Sequence, residues 1–264
     1  MARPNRLRTK LAAGQTCIGP LFQEFWSPEL FEFCALAGFD FVIADGEHAG
    51  VDPQGVRNLA RAAQGVGATV LARVPNGEPS LVLRYLDAGV EGLILPHCNS
   101  ATDAEGLVRA SRYPPRGIRG AASTSRAAGY GFTQTPLEHL TQSDYEVLCL
   151  GLIEEPRAVE ALPEILRVDG LDGCFVGAGD MALTLGRQYY GGPAMHADVR
   201  RLVDRAIDLT LAAGKVVMYP AATGAEAHTM SQRGVRLITT NFGALARRAI
   251  ADFLGAARGE SGPR

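Results

Sequence analysis

Asp45, Glu47 and His48 follow directly on the apolar run Phe41-Val42-Ile43-Ala44, inside the segment Asp45-Gly46-Glu47-His48-Ala49-Gly50. An imidazole beside a carboxylate can move a proton near neutral pH, with Asp45 orienting His48 as a general base. A histidine that merely closes the loop is the plainer alternative. Arg73 is the one charge in Val70-Leu71-Ala72-Arg73-Val74. Such a charge is costly inside a sheet unless an anion meets it, so Arg73 is a clamp for a substrate carboxylate, a partner of Asp45, or both. Glu154 and Asp180 end two further apolar runs and offer hard oxygen ligands without cysteine or paired histidine beside them. That donor set suits Mg²⁺ or Mn²⁺, with Co²⁺ a third option, and leaves coordination positions open for a substrate. Two structural alternatives stand beside it: Glu154 pairing with Arg157, and Asp180 capping a helix that starts at Met181. A phosphate cradle at Gly177-Ala178-Gly179-Asp180 is opposed by its own acid, and a zinc site on His48 and His97 lacks a third ligand. His139, His196 and His228 read as surface residues.

The elements that must position these groups are legible as alternation. Strand-like runs fall at residues 17–22, 39–44, 69–74, 92–95, 146–153, 173–176, 216–219 and 237–240. Helical patterns occupy 53–64, 80–88, 101–112, 157–166, 199–213 and 245–257,. Eight strand–helix units in 264 residues predict a parallel (β/α)₈ TIM barrel forming a single domain over 1–264, with an open sheet as runner-up,. In such a barrel the polar residues after each strand converge on one mouth: Asp45, Glu47 and His48, then Arg73, His97, Glu154, Glu155, Asp180 and Asn241. Residues 113–142 read as a long irregular stretch, of the kind that forms lids or interfaces.

A net charge of −2 gives no electrostatic reason to expect nucleic acid or an anionic membrane as partner,. No apolar stretch reaches the length of a membrane span and no signal peptide is evident, so a cytoplasmic location is expected. Five dispersed cysteines without a C-x-x-C pair read as buried reduced thiols,. Only two lysines are present, Lys10 before the first strand and Lys215 at the amino end of the seventh. Both would lie on the wrong face for Schiff-base chemistry.

On these residues the chain resembles the HpcH/HpaI family of metal-dependent (class II) pyruvate aldolases. The blocks that carry the resemblance are Phe41 through Ala49, Arg73, Tyr85-Leu86-Asp87-Ala88-Gly89, Arg112-Tyr113-Pro114-Pro115-Arg116-Gly117-Ile118-Arg119-Gly120, Ile153-Glu154 and Gly170 through Asp180. The resemblance implies a divalent metal on Glu154 and Asp180, and Arg73 on the oxygens of a 2-oxo acid. His48 would act with Asp45 in acid–base chemistry through water, and backbone amides around Gly179 and Asp180 would receive the substrate carboxylate. It also implies a homo-oligomer, a hexamer or trimer, in which Asp87 reaches a neighbour's site and the last helix, about 244–258, packs on a partner barrel. Leu152, Ala178-Gly179 and Asn241-Phe242 depart from the family's usual residues and border the site without removing a metal ligand.

The reaction so implied is reversible cleavage of a 4-hydroxy-2-oxo acid into pyruvate, or a close 2-oxo acid, and an aldehyde. A citrate-synthase-like condensation or a decarboxylation on oxaloacetate is the alternative. A non-catalytic barrel that binds a 2-oxo acid is the remote one.

Overall fold

The computed structural model describes residues 4–192 and 194–259, so the outermost residues of the expected 1–264 domain lie outside the described residues. Eight strands close into a barrel in which each pairs in parallel with its sequence neighbours and β8 returns to β1. They are β1 (Cys17–Phe22), β2 (Phe41–Asp45), β3 (Thr69–Arg73), β4 (Gly92–Leu95), β5 (Leu148–Ile153), β6 (Gly173–Val176), β7 (Val216–Pro220) and β8 (Leu237–Asn241). The helices are α1 (Arg6–Ala12), α2 (Pro28–Leu36), α3 (Pro53–Gly65), α4 (Pro79–Asp87), α5 (Ala101–Ser111), α6 (Pro136–Glu146), α7 (Pro156–Ile165), α8 (Ala178–Leu185), α9 (Ala197–Ala212), α10 (Gly224–Gln232) and α11 (Phe242–Arg258). None of them is long and apolar enough to cross a membrane.

Two apolar layers follow from the period-two alternation of a strand. Phe41, Ile43, Leu71, Ile94, Leu148, Leu150, Leu152, Phe175, Met218 and Leu237 fill the barrel interior, and Leu7 from α1 joins them. Val42, Ala44, Val70, Ala72, Cys149 and Cys174 belong to the cluster shared with the helices. The same alternation carries the inner face past the last apolar layer: Asp45 continues Phe41 and Ile43, Arg73 continues Leu71, and Glu154 continues Leu148, Leu150 and Leu152. Asp45 and Arg73 are also direct register partners across β2 and β3.

Helix starts are fixed by side chains that accept the first free amides: Ser27 for α2, Asp52 for α3, Ser100 for α5 and Thr223 for α10,. Part of the expected irregular stretch is α6, opened by a reciprocal capping box between Thr135 and Glu138,. The helix ends at Glu146, which delays β5 to Leu148 instead of the expected residue 146. His139 is corrected from the surface to the interior. It lies on α6 at 4% exposure, with Nε2 3.1 Å from the Tyr113 hydroxyl and Nδ1 2.8 Å from Gln134 Nε2. Burial, aided by the Arg119 charge, pushes its pKa below the usual histidine value. His196 and His228 are exposed as expected.

α11 departs from ordinary barrel packing. Asn241 caps it by accepting from the Ala244 amide, and Phe242 stacks on Phe22 with ring centroids 4.7 Å apart. Beyond that start only Gly243 is buried, and Phe253 is 73% exposed alongside Ile250 and Leu254. On the outer wall near β1 and β8 this leaves an apolar groove of about 410 Å³, lined by Ile18, Ile238, Thr240, Ala227 and Leu245.

Candidate active site

The second strand's carboxyl end is built around a buried ion pair. Arg73 donates from Nε to Asp45 Oδ1 at 3.0 Å and from Nη2 to Asp45 Oδ2 at 2.5 Å, a two-pronged geometry that a guanidinium matches and an ammonium does not. Asp45 Oδ1 also accepts the backbone N–H groups of Glu47 at 2.9 Å and His48 at 3.3 Å. One carboxylate thereby fixes both the arginine and the turn. Gly46 is required there, because a side chain on it would run into the Tyr85 hydroxyl, which donates to the Val51 carbonyl.

Asp45 is therefore Arg73's partner, and it holds His48 through that residue's backbone. The carboxylate beside the His48 imidazole is Glu47, whose Oε2 lies 3.8 Å from Nε2. The His48 ring itself is largely exposed at the mouth. Glu47 stands at the centre of this face: Oε2 is 3.1 Å from Arg73 Nε, and Oε1 is 3.7 Å from His97 Nε2. Glu47 and His97 are legible as mouth residues, Glu47 without an assigned role and His97 only as half of a zinc site with His48 that lacks a third ligand. What marks them is mutual approach across three strand ends, which no local spacing encodes.

His97 follows β4 in a left-handed backbone conformation, φ 50°, uncommon for a residue with a side chain,. Its backbone N–H donates to Glu154 Oε1 at 2.8 Å, and its Nδ1 lies 3.1 Å from Glu155 Oε1 and 3.3 Å from Glu154 Oε1. Glu155 is held in turn by Asn99 Nδ2 at 2.7 Å and by Arg157 Nε at 2.8 Å. Arg157 thus pairs with Glu155 and leaves Glu154 to the site. Burial opposes a charge on His97, but Glu154, Glu155 and Glu47 outweigh it and hold its pKa above the usual value.

Glu154 is 2% exposed. Burial first, with the charges of Asp180 and Glu47 adding to it, pushes its carboxyl up to about 7 against the opposing pull of His97,. Asp180 does not cap a helix starting at Met181. The helix α8 starts at Ala178 with Gly177 at its cap, no side chain closes that cap, and Asp180 lies in the first turn. Its leading amides have no intrahelical acceptor, and the space above Gly179 is open, since a Cβ added there would meet nothing within 4 Å. Gly177 passes close to Glu154, as an added Cβ would stand 3.0 Å from Glu154 Cβ.

The donor set fits a divalent cation. Glu47 Oε2 is buried yet accepts no well-aligned hydrogen bond, and Glu154 is a desolvated carboxyl facing further acids. One ligand atom each from Glu47, His97 and Glu154 lies within 4.8 Å of the other two. Neither lysine is at the mouth: Lys10 pairs with Asp40 ahead of β2, and Lys215, just before β7, donates to the carbonyls of Leu171 and Val168. Asp87 is not brought to this mouth either. It ends α4 at the opposite end of the barrel and pairs with Arg119 at 3.0 Å.

Comparison with known proteins agrees with this geometry. The model of the family HpcH/HpaI aldolase/citrate lyase matches residues 20–237. The chain belongs to this family. Among its HpcH/HpaI relatives, a hydroxypyruvate/pyruvate aldolase of Roseovarius nubinhibens is 35% identical over 214 residues, 81% of each chain. A 5-keto-4-deoxy-D-glucarate aldolase of Escherichia coli is 33% identical over 235 residues, 89% of each. The crystal structure of an HpcH/HpaI aldolase/citrate lyase family protein from Burkholderia cenocepacia superposes with a TM-score of 0.88 at 31% identity, covering 96% of this chain and 99% of that one. This HpcH/HpaI chain is an aldolase, a carbon–carbon lyase acting on small molecules.

Proposed function

We propose that this aldolase reversibly cleaves a 4-hydroxy-2-oxo acid into pyruvate, or a close 2-oxo acid, and an aldehyde, with a divalent cation held by Glu154 and Asp180. Mg²⁺ and Mn²⁺ are the first candidates and Co²⁺ the third. The observation that carries this reading is the Glu154 carboxyl: it is buried and faces the charges of Asp180 and Glu47, which together hold it up to about 7, so a cation beside it would stabilise its charged form,. When bound, the cation supplies positive charge against the negative charge that develops as the carbon–carbon bond breaks.

The chain's own residues do the rest. Arg73, locked by Asp45, presents its guanidinium to the oxygens of the 2-oxo acid. The free amides around Gly179 and Asp180 receive the substrate carboxylate. His48, with its ring at the open mouth and its backbone tied to Asp45, takes the proton of the 4-hydroxyl through water. The relatives at 33–35% identity carry aldolase names, which ranks this reading above the oxaloacetate branch and the non-catalytic barrel.

The test is exchange of pyruvate methyl protons for deuterium, followed by NMR on metal-stripped protein with and without Mg²⁺ or Mn²⁺. Exchange should appear only with metal. Exchange that is equal with and without metal would remove the metal from the reading. In aldol cleavage, His48→Ala should cost roughly 10²- to 10⁴-fold in rate, and an unchanged rate would leave His48 a loop residue.

The reading extends to assembly. The whole chain acts as one barrel domain, and the apolar stripe of α11, which none of the described residues covers, docks on a partner barrel to form a hexamer or trimer. The uncovered groove near β1 and β8 supports this, and Asp87 then reaches the neighbour's mouth. In sedimentation velocity the full chain should run as a trimer or hexamer, and a chain ending at Asn241 as a smaller species; an unchanged size would dismiss α11 as the contact. All five cysteines are free and buried, which suits work in the reducing cytoplasm,.

A further inference from the structure

We propose that His97 supplies a nitrogen ligand, Nε2, to the cation held by Glu154 and Asp180, and that this nitrogen biases the site away from Mg²⁺ toward Co²⁺ and later divalent metals. The inference rests on the metal reading above and adds to it a ligand that neither the family pattern nor the two-carboxylate reading contains.

Geometry carries it. Ligand atoms of Glu47, His97 and Glu154 lie within 4.8 Å of one another. Three ligands about 2.1 Å from a shared ion and equally spaced stand at most about 3.6 Å apart, so these atoms reach a common ion by closing on it by about 1 Å or less, within the freedom of their side chains. The two ring nitrogens face different partners. Nδ1 is 3.1 Å from Glu155 Oε1 and 3.3 Å from Glu154 Oε1, and Nε2 points toward Glu47 Oε1 at 3.7 Å, too far for a hydrogen bond,. In the tautomer that donates Nδ1–H to Glu155, the lone pair of Nε2 faces Glu47. Carboxylate on one nitrogen and metal on the other is how ligating imidazoles are held in the right tautomer.

Glu155 is suited to that supporting role because it is anchored on both oxygens, by Asn99 and Arg157. The chain also places the ring at some conformational cost. His97 adopts φ 50°, and its N–H holds Glu154 Oε1 at 2.8 Å, so the backbone that fixes the ligating carboxylate also aims the imidazole beside it,. Imidazole is a poor ligand for Mg²⁺ and a good one for cobalt, nickel and zinc, whereas carboxylates serve all of them. A mixed oxygen–nitrogen set therefore separates these metals where an all-oxygen set does not.

The experiment uses the metal-stripped full-length chain and two readouts besides turnover. Calorimetric titration with Co²⁺ and Mg²⁺ gives affinities, and electron spin-echo modulation of bound Mn²⁺ reports a coordinated nitrogen. The variant is His97→Asn, because asparagine tolerates the left-handed backbone but cannot deliver an imidazole. Co²⁺ affinity should fall by about tenfold or more while Mg²⁺ affinity changes far less, and the nitrogen modulation of the wild-type protein should vanish. It should persist in His48→Asn, which separates the two histidines. As a second variant, Glu155→Gln keeps the imidazole and loosens its support, and should weaken Co²⁺ more than Mg²⁺.

Equal losses for the two metals overturn the proposal, as does bound Mn²⁺ without nitrogen modulation in the wild type. If no divalent metal binds saturably to the wild type, the metal reading itself falls, and this inference with it.

Discussion

Glu154→Gln should abolish metal-dependent cleavage while leaving the metal-free protein as stable as the wild type or more so. On the proposed two-carboxylate metal site, loss of Glu154 should lower turnover by at least about 10³-fold, the scale on which removing charge stabilisation aimed at a developing anion acts. Stability runs the other way because this carboxyl is raised from 4.5 to about 7 in the folded chain. A raised group favours folding in its protonated form. That contribution is fully present below pH 4.5 and is lost as the pH climbs through about 7. Glutamine does not titrate, so the metal-free variant should not show this part of the loss between pH 5 and 8. Thermal unfolding at both pH values, with and without Mn²⁺, reads all of it: metal should raise the wild-type midpoint at pH 8 and leave the variant unmoved. A variant that metal still stabilises, or that keeps near-native turnover, would take Glu154 out of the metal site. The same proton competes with the cation, so metal affinity should weaken as pH falls below about 7.

Arg73→Met should destabilise the chain by about 3–5 kcal/mol, the cost of leaving a buried charge without its partner. Asp45 is fully buried, and after the substitution only the amides of Glu47 and His48 would face it. Arg73→Lys should recover little, since one ammonium cannot make both of the contacts that the guanidinium makes to Asp45. The double variant Asp45→Asn with Arg73→Met removes the orphaned charge and should regain a large part of the loss, giving a coupling of about 2 kcal/mol in urea denaturation. Additive single losses would mean that the pair is not the source of the effect. On the proposed role of Arg73 toward the 2-oxo acid, turnover should stay low in all three variants, because the stability recovered in the double variant does not restore the guanidinium.

Much of this site is readable along the chain because a strand has period two. Once Phe41, Ile43, Leu71, Leu150 and Leu152 face inward, the alternation obliges Asp45, Arg73 and Glu154 to follow them onto the inner rim, and the glycines and prolines at the junctions mark where each strand stops. The eight alternating units and the mouth residues are of this local kind. The capping box of Thr135 and Glu138 was equally local, and it lay hidden inside a stretch otherwise dominated by glycine, proline and serine.

What the tertiary structure decided are relations between strand ends that closure of the barrel brings together. Glu47, His97, Glu154 and Glu155 lie on three different loops, and no spacing in the chain says which carboxylate meets which ring. That depends on the stagger of eight strands, which places Asp45 on Arg73 rather than on the His48 ring, gives Arg157 to Glu155 and frees Glu154 for the site. Burial was also a matter of the fold. His139 is interior because α6 lays it against Tyr113, and α11 is exposed because, among the described residues, the barrel it leaves offers its apolar stripe no cover. Periodicity records which way a side chain points, and only the closed barrel sets what it points at.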